Sequence, residues 1–260
     1  FDMPELPEVE AARRFVARVA AGKSVVEVVA LEQGGGPRDG LFDANVIRSA
    51  TAATFTAAVL GRRIVAAHRL GKHLYLELVL RDTPQRSALL IHNGMTGALL
   101  AKGHAAPCYK NTKFDNDATT WPPRHTKFEL GLDDGTRLAF ADSRRFGRVV
   151  VREYDDDGDS IETTVRGLPD SPLADLAPDP VRAMPSLDAF AAALAGKSAP
   201  IKAVLLDQKA VVCGVGNWVA DEVLYMAGVH PASPAKALDD AAVAAVRDAV
   251  ETVCRVVERF

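Results

Sequence analysis

Cysteine, metal-binding spacings and long apolar runs are all scarce in this sequence. The 260 residues include three cysteines, which are far apart and never form a CxxC pair: Cys108, Cys213 and Cys254. This spacing indicates neither a disulfide framework nor a zinc site, so we expect buried thiols. The six histidines are dispersed as well, and we predict no metal and no cofactor.

The sequence also lacks a segment that would enter a membrane. No apolar run approaches the roughly 20 residues that span a bilayer. The acidic N-terminus is unlike a signal peptide or a transit peptide. We therefore expect an intracellular protein without a membrane partner.

Two glycine-rich stretches lack the features of nucleotide-binding loops. The triple glycine at 34–36 is not followed by the Lys-Ser/Thr pair of a phosphate loop. The pair Gly214 and Gly216 could suggest a dinucleotide site, but it lacks the third glycine and follows a predicted helix rather than a strand. Neither stretch therefore favours a nucleotide cofactor.

The net charge of −3 hides an uneven distribution. Residues 1–150 contain 21 Lys and Arg against 16 Asp and Glu, a net charge of +5, whereas residues 151–260 contain 10 against 18, a net charge of −8. A basic half beside an acidic half is compatible with a polyanionic partner. Charge alone does not identify that partner.

Hydrophobic periodicity predicts one helix followed by strands. Over residues 5–21 apolar side chains recur at helical spacing, and Gly22 supplies the stop. The prolines and glutamates of "MPELPEVE" at 3–10 suit a first helical turn. The alternating leucines of "KHLYLELVL" are typical of a half-buried strand, and Asp134-Gly135 predicts a hairpin.

The order of these elements predicts two domains joined by a linker. Several short strands without alternating helices favour an antiparallel β-sandwich, which we assign with the first helix to residues 1–150. Residues 102–125 are predicted to be an irregular excursion between strands. The proline-rich segment 151–185 suits a linker. Residues 186–260 are helical in period throughout, with a serine N-cap at the start and a long amphipathic helix at the end.

A glycine hairpin separates two predicted helices at 201–208 and about 217–227. Gly214 and Gly216 permit the tight turn, and Asn217 falls where the second helix begins. The N-terminus of that helix would present backbone N–H groups to an anion such as a DNA phosphate.

Five motifs, taken in order, resemble the formamidopyrimidine-DNA glycosylase/endonuclease VIII family, and most of all its plant and fungal branch, whose members lack zinc. They are "PELPEVE" at 4–10, "GKHLYLEL" at 71–78, "HNGMTG" at 92–97, "DSRRFG" at 142–147 and "LLDQKAVVCGVGNWVADEVLYMAGVHP" at 205–231. The last motif is long and specific. The resemblance implies an α+β fold, in which an N-terminal helix and an antiparallel β-sandwich precede a helical domain with a helix–two-turn–helix motif.

The resemblance implies a catalytic group around Pro4. The family uses the proline exposed by removal of the initiator methionine, whose amine attacks C1′ of the damaged nucleotide, expels the base and forms a Schiff base. By resemblance Glu5 moves protons, Glu8 supports the site, and Lys72 contacts phosphate and assists the chemistry. From the residues alone, Lys72 could equally be a solvated surface lysine, and "MPELPEVE" only a helix start.

The resemblance also implies side chains that fill the gap left by an extruded nucleotide, because an enzyme acting on a base must take it out of the stack. Met95, Arg144 and Phe146 stand at these motif positions; without the resemblance they would be two core residues and a surface arginine. Implied phosphate contacts, which position rather than specify, are His125, Lys197 and Asn217, with His92 and Lys202 as weaker candidates.

The two ends of the sequence depart from the family pattern. Phe1, Asp2 and Met3 precede Pro4, so its nitrogen is an amide in the chain as written and cannot form a Schiff base. Either these residues are removed, or the true start lies downstream of Phe1, or the protein binds without cutting. The sequence stops at Phe260, before the family's β-hairpin finger, and we expect a fragment of a longer chain.

Three hypotheses follow for the function. The first is a base-excision-repair DNA glycosylase with AP lyase activity, which removes oxidised purines and ring-opened bases and cleaves abasic DNA by elimination. The second is a catalytically silent binder of damaged DNA, and the third is a scaffold without a nucleic-acid partner. The implied partner is double-stranded DNA containing oxidised or abasic sites, bound by a monomer, in the nucleus if the source is eukaryotic.

Overall fold

The computed structural model describes residues 4–105, 120–156 and 158–256. Its first half is a helix followed by nine strands, with one further helix between the second and third strands. The elements are α1 (Leu6–Ala20), β1 (Val25–Val29), β2 (Ile47–Arg48), α2 (Ala52–Val59), β3 (Arg62–Leu70), β4 (His73–Leu80), β5 (Gln85–His92), β6 (Ala98–Ala101), β7 (Thr126–Leu132), β8 (Arg137–Ala141) and β9 (Arg148–Asp155).

The second half of the described chain is helical. It contains α3 (Ile161–Gly167), α4 (Leu187–Ala195), α5 (Ile201–Leu206), α6 (Asn217–Ala227) and α7 (Asp240–Val256), with a 3₁₀ turn at Ala235–Ala237 between the last two. The predicted N-cap is confirmed, because the Ser186 hydroxyl accepts a hydrogen bond from the N–H of Ala189 at 3.2 Å. None of the described helices is long and apolar enough to cross a bilayer.

The strands form the predicted β-sandwich. One sheet has the order β1-β7-β8-β6 and the other β2-β9-β5-β4-β3. The hairpin predicted at Asp134-Gly135 joins β7 and β8. Helix α2 was not predicted, and neither was the short pair β2–β9, which is parallel where every other pair of the described strands is antiparallel. Between the sheets, α1 and α2 close one apolar core in which Phe128 stacks on Phe140.

The predicted linker is partly regular structure. Strand β9 continues to Asp155, beyond the predicted domain boundary at 150, and α3 lies inside the segment 151–185. Val165 and Leu173 from this segment are buried against Tyr75 on the outer face of the five-stranded sheet. Prolines make the segment 151–185 irregular. Because its apolar side chains pack against the five-stranded sheet, the segment nevertheless covers the outer face of that sheet.

The helical domain has a core of its own, and the first residue of α1 belongs to it. Leu6 is fully buried among side chains of the helical domain, such as Val215 in the glycine hairpin and Val219 on α6. The N-terminus of α1 therefore lies where the sandwich and the helical domain meet. Cys213 and Cys254 are free, buried thiols, as predicted. Cys108, most of the predicted excursion and the last turn of the predicted final helix lie outside the described residues.

Candidate active site

The N-terminus of α1 docks onto the N-terminus of α6. The N–H of Leu6 donates to the carbonyl of Gly214 at 3.1 Å. The Glu5 carboxylate accepts hydrogen bonds from the N–H of Trp218 at 3.0 Å and of Val219 at 3.1 Å. An anion in this position also complements the positive end of the α6 dipole. Glu5 is thereby fixed by a helix that begins more than 200 residues later in the chain.

This approach requires a residue without a side chain at position 216. A Cβ atom built on Gly216 would lie 2.1 Å from Cδ of Glu5, far inside any allowed contact. The second glycine of the hairpin thus makes room for the Glu5 carboxyl group. The sequence pattern located the turn but gave no indication that Glu5 fills the space beside it.

Glu8 contacts Glu5 through the backbone. Its Oε2 accepts from the N–H of Glu5 at 3.0 Å, while the Glu5 side chain caps the first turn in return. This reciprocal arrangement is a capping box, which satisfies N–H groups that a helix start leaves unpaired. Pro4 is buried directly before this pair.

Lys72 is buried next to the same carboxylates. It lies in the turn between β3 and β4, and only 8% of its surface is exposed. The turn is held by Asp179, which accepts from the N–H of Gly71 at 2.8 Å and forms an ion pair with Arg69. The solvated-lysine interpretation is therefore wrong for this fold, and Lys72 lies in the candidate site.

Burial shifts the pKa values of these groups towards their neutral forms. It raises the pKa of Glu5, opposed by the N–H groups of Val219 and Trp218 and by the charge of Lys72. It lowers the pKa of Lys72, opposed by the charges of Glu5, Cys213 and Glu8. The pKa values of this carboxyl group and this amine therefore move towards each other, because burial disfavours the charged form of each.

The pairing of β5 with β4 and β9 brings His92 to the end of the sheet where Lys72 lies. His92 pairs with His73 on β4 and with Arg148 on β9, and the two imidazole centroids are 4.8 Å apart. Burial lowers the pKa of His73 to about 3 and of His92 to about 4, so both rings are neutral at pH 7. The N–H of Gly94 donates to Nδ1 of His92 at 3.1 Å. His92 is half-buried beside Lys72, whose charge acts on it.

The proposed gap-filling side chains stand on two loops that are fastened together. The loop after β5 carries Met95, and the loop before β9 carries Arg144 and Phe146. The Thr96 hydroxyl donates to Asp142 Oδ1 at 2.6 Å, and the other Asp142 oxygen accepts from the N–H of Gly147 at 2.7 Å. One buried carboxylate therefore joins both loops.

Close backbone packing completes this loop pair. A Cβ atom on Gly94 would lie 2.4 Å from the backbone carbon of Phe146, so only glycine allows the approach. Arg144 is exposed and lies 5.1 Å from the ring of Phe146, itself 47% exposed, while Met95 is half-buried. The three side chains, predicted from two separate motifs, are thus presented at one edge of the sandwich.

His125 adjoins the second loop, and a buried ion cluster lies beneath it. The His125 carbonyl accepts from the N–H of Asp142 at 3.1 Å. Lys127 is almost fully buried and pairs with Glu32 at 2.6 Å and with Asp43 at 3.2 Å. Arg145 donates to both oxygens of Asp43, at 2.8 and 2.9 Å. This cluster ties the loop before β9 to the strand that begins after His125.

The remaining predicted phosphate contacts lie in the helical domain. Asn217 is the first residue of α6, exposed and next to Trp218, as predicted. Lys197 is exposed after α4. Lys202 donates to Asp221 Oδ1 at 2.6 Å, so its charge is already paired. Among the described contacts, those of Lys197 and Lys202 do not join them to Glu5 or Lys72.

Several positioning residues were missed by the sequence analysis. They are Thr96 and Asp142, which fasten the loops, Arg145 and Asp43 in the ion cluster, and His73 beside His92. A weak signal existed for the cluster: every residue of β7 is buried, so a lysine in that strand needs a carboxylate partner. Among the described residues, no group of three or more His, Cys, Asp and Glu is arranged to hold a metal ion.

Comparisons with known protein families match both halves of the chain. Residues 3–149 match the family model "Formamidopyrimidine-DNA glycosylase N-terminal domain", and residues 176–258 match "Formamidopyrimidine-DNA glycosylase H2TH domain". A formamidopyrimidine-DNA glycosylase of Arabidopsis thaliana is 37% identical over 251 residues, which are 96% of this chain and 57% of that protein. One from Thermobifida fusca is 38% identical over 261 residues, covering 96% of this chain and 76% of that protein.

Solved structures give the same fold. The MutM (Fpg) protein of Thermus thermophilus superposes with a TM-score of 0.69 at 30% identity, covering 98% of this chain and 76% of that one. The Lactococcus lactis formamidopyrimidine-DNA glycosylase, crystallised non-covalently bound to DNA containing an AP site, superposes with a TM-score of 0.72 at 22% identity and matches 82% of its own length. The chain thus spans just over half of the Arabidopsis relative and about three quarters or more of the bacterial ones.

Proposed function

Because the chain belongs to the formamidopyrimidine-DNA glycosylase family, we propose that it is a base-excision-repair DNA glycosylase with AP lyase activity. Its substrates are oxidised or ring-opened purines and abasic sites in double-stranded DNA. It acts inside the cell, in the nucleus if the source is eukaryotic. The observation that carries this proposal is the buried cluster in which Glu8 and Lys72 lie beside Glu5, the residue after Pro4.

The proposed first step is nucleophilic attack by the nitrogen of Pro4. In a chain that begins at Pro4 this nitrogen is a secondary amine, and an α-amine has a pKa of about 7.7–8.0, so a useful fraction is unprotonated near neutrality. The amine forms a bond to C1′ while the bond to the base breaks, and opening of the sugar then gives an iminium ion. Elimination cleaves the phosphodiester on the 3′ side, and hydrolysis releases Pro4.

Glu5 is proposed to supply and remove the protons of these steps. Its carboxyl lies at the start of α1, one residue from Pro4, and its raised pKa keeps a protonated fraction available at higher pH than for an exposed glutamate. Lys72 lies close enough to interact electrostatically with Glu5 and is proposed to stabilise the adjoining phosphate. Asn217 would bind a second phosphate at the N-terminus of α6.

The loop pair is proposed to hold the duplex open. Extruding a nucleotide costs a few kcal/mol of unstacking, which inserted side chains offset. Phe146 and Met95 are apolar and able to enter the base stack, and Arg144 is able to bond the unpaired opposite base. Their common edge, fastened by Asp142, lies at the end of the sheet that also carries His92.

Borohydride trapping tests this proposal directly. A chain beginning at Pro4 and the sequence as written are each incubated with an abasic duplex and borohydride, which reduces a Schiff base to a stable bond. Of these two chains, we expect a covalent protein–DNA adduct only from the one that begins at Pro4. A chain that begins with glycine in place of Pro4 is the matched control, since it keeps a free terminal amine but loses the ring, and it should give less adduct than the Pro4 chain.

A different outcome would favour the second hypothesis, a catalytically silent binder of damaged DNA. If the chain beginning at Pro4 binds the abasic duplex but yields no adduct, the protein is a binder of damaged DNA rather than a lyase. An equal adduct with the sequence as written would show that another amine reacts, and would contradict the role of Pro4.

A further inference from the structure

A row of arginine and histidine side chains crosses the outer face of the five-stranded sheet at the end where Lys72 lies. In the antiparallel β5–β9 pair, His92 lies directly opposite Arg148. In the parallel β2–β9 pair, Arg48 lies opposite Val150, which is two residues beyond Arg148 and therefore on the same face of the sheet. The three side chains thus stand on three neighbouring strands. The proposed glycosylase chemistry uses neither arginine.

This row lies beyond the apolar contacts of the segment that covers the outer face. Leu90 on β5 and Val150 on β9 belong to the apolar cluster beneath that segment. The next residues on the same face, towards the end of the sheet, are His92 and Arg148, and both are half-buried. Arg48 is exposed. A ligand can therefore reach the row from solvent.

Both arginines have hydrogen-bond donors to spare. Arg148 donates only from Nη1, to the carbonyls of Arg145 at 3.2 Å and Gly147 at 2.6 Å. Arg48 donates only from Nε, to the carbonyl of Asn45 at 3.3 Å. Among the described contacts, the other nitrogens of the two guanidinium groups have no acceptor, and neither group forms an ion pair. Guanidinium donors of this kind match the oxygens of a phosphate group.

The two arginines repel each other. Burial and the charge of Arg48 lower the pKa of Arg148, opposed by the charges of Asp142 and Asp43. Arg148 nevertheless stays charged at pH 7, because a guanidinium group does not lose its proton in proteins. Asp142 accepts hydrogen bonds within the loop pair and Asp43 belongs to the ion cluster, so both carboxylates already have other partners. An anion bound at Arg148 would offset the repulsion by Arg48.

His92 connects this row to the candidate active site. Burial lowers the pKa of His92 to about 4, and the charges of Lys72 and Arg148 lower it as well, so a neutral ring lies near a cation on each side. Its Nδ1 accepts from the N–H of Gly94 at 3.1 Å, which leaves the proton on Nε2 as a donor. A DNA strand that places a phosphate at Lys72 therefore meets further donors in the direction of Arg148.

We propose that Arg148 binds a backbone phosphate of duplex DNA, beside the phosphate assigned to Lys72. This inference rests on the proposed function, which places Lys72 against the DNA. Phosphate contacts position a duplex and carry no sequence information. Arg148 therefore strengthens the binding of damaged and undamaged duplexes alike, whereas recognition of the lesion is left to the loop pair.

The salt dependence of duplex binding tests the proposal, because each phosphate that a protein cation neutralises makes the affinity fall more steeply with salt. Fluorescence anisotropy measures the affinity of the whole chain for an undamaged duplex and for one with a reduced abasic site, which cannot form a Schiff base. Arg148→Gln should weaken the binding of both duplexes severalfold. It should also reduce the slope of log K against log[salt] by about one. The preference between the two duplexes should not change.

Two further variants separate a phosphate contact from a structural role of Arg148. Arg148→Lys keeps the charge and should keep the slope, although it loses the guanidinium group that contacts the carbonyls of Arg145 and Gly147. Arg81→Gln removes an equal charge from the turn between β4 and β5, at the opposite end of β4 from Lys72, where the side chain of Arg81 is 92% exposed. This matched control should keep the slope of the unmodified chain.

An unchanged slope in Arg148→Gln, or an equal loss of slope in Arg81→Gln, would overturn the proposal. A loss of slope in Arg148→Lys would also overturn it, because the contact would then depend on the shape of the loop rather than on charge. The slopes do not depend on the chemistry at Pro4. If the chain that begins at Pro4 yields no borohydride adduct, that result contradicts the proposed lyase activity and leaves the assignment of Arg148 to be decided by its slope.

Discussion

The buried cluster around Glu5 and the exposed loop pair around Phe146 hold their side chains by opposite means. Glu5 is fixed by backbone N–H groups of another domain, in a space that a single Cβ atom would close. Arg144 and Phe146 are exposed, and only the loops beneath them are fastened. Substitutions in the cluster should therefore damage catalysis and folding together, whereas those at the loop tips should affect only the encounter with DNA.

Glu5→Gln should give the largest effect, because it removes the proposed proton-transferring group but keeps the shape of the side chain. We expect single-turnover base release from a duplex with a ring-opened purine to fall about 10²- to 10⁴-fold. Duplex affinity should change little. Glu222→Gln, at an exposed carboxylate on α6, is the control and should retain full activity. Near-normal base release by Glu5→Gln would contradict the proton-transfer role.

Gly216→Ala tests whether space beside Glu5 is essential. The new Cβ would overlap Cδ of Glu5, so the carboxyl group must move. We expect about 10²-fold slower base release from misplacement and about 1–3 kcal/mol lower free energy of unfolding from overpacking. Gly196→Ala is the control, since a Cβ there meets nothing within 4 Å. Equal behaviour of the two variants would show that the close approach is unimportant.

Asp43→Asn tests the ion cluster beneath the loop pair through the pH dependence of the free energy of unfolding. Burial opposes ionisation of Asp43, but hydrogen bonds from Arg145 and Lys127 hold its pKa at about 2. The ionised carboxylate therefore stabilises the fold above about pH 4, and this contribution is lost as the pH falls through about 2. In urea unfolding, the unmodified chain should have a higher free energy of unfolding than Asp43→Asn above about pH 4. This difference should shrink by up to about 2 kcal/mol as the pH falls to about 2. A constant difference would contradict the ion pairing.

Thr96→Val should loosen the loop pair without changing Met95, Arg144 or Phe146, the side chains proposed to enter DNA. It removes the hydroxyl that donates to buried Asp142, and a lost buried hydrogen bond costs about 1–3 kcal/mol. Chemical denaturation measures that cost, and binding of a damaged duplex should weaken severalfold. Thr252→Val, at an exposed position of α7, is the control and should change neither the free energy of unfolding nor duplex binding. Unchanged stability of Thr96→Val would mean that the loops are held by other contacts.

Phe146→Ala should have the smallest effect on stability. The ring is 47% exposed, and such surface substitutions change the free energy of unfolding by about 0.5 kcal/mol or less. Preference for an abasic over an undamaged duplex should nevertheless fall severalfold, as measured by competition binding. Val26→Ala, at a 59% exposed strand residue, is the control. A large loss of stability with intact preference would assign Phe146 to the fold instead.

Local patterns predicted most of the elements, because periodicity and turn residues act within a few positions. The first helix, the hairpin at Asp134-Gly135 and the start of α6 at Asn217 all follow from such signals. The parallel β2–β9 pair and α3 do not, since a two-residue strand has no readable period and prolines around 168–185 mask the apolar residues of the covering segment.

The partners of buried charges could not be predicted, because they are distant in the chain. A carboxylate at Glu5 and an amide at Trp218 carry no mutual signal across 213 positions. Likewise, a lysine in the fully buried strand β7 indicates that a partner is needed, but not that Glu32 and Asp43 supply it. The motif resemblance assigned Lys72 to the site, whereas the residues alone left open whether it was a solvated surface lysine.

The central claim is that the amine at position 4 attacks the sugar beside the Glu5 and Lys72 side chains. Mass spectrometry of the protease-digested, borohydride-reduced complex tests it most directly, because it identifies the residue that carries the sugar. The adduct is expected on the N-terminal peptide, at the ring nitrogen of Pro4. An adduct mapped to the peptide that contains Lys72, or to any other lysine, would contradict it.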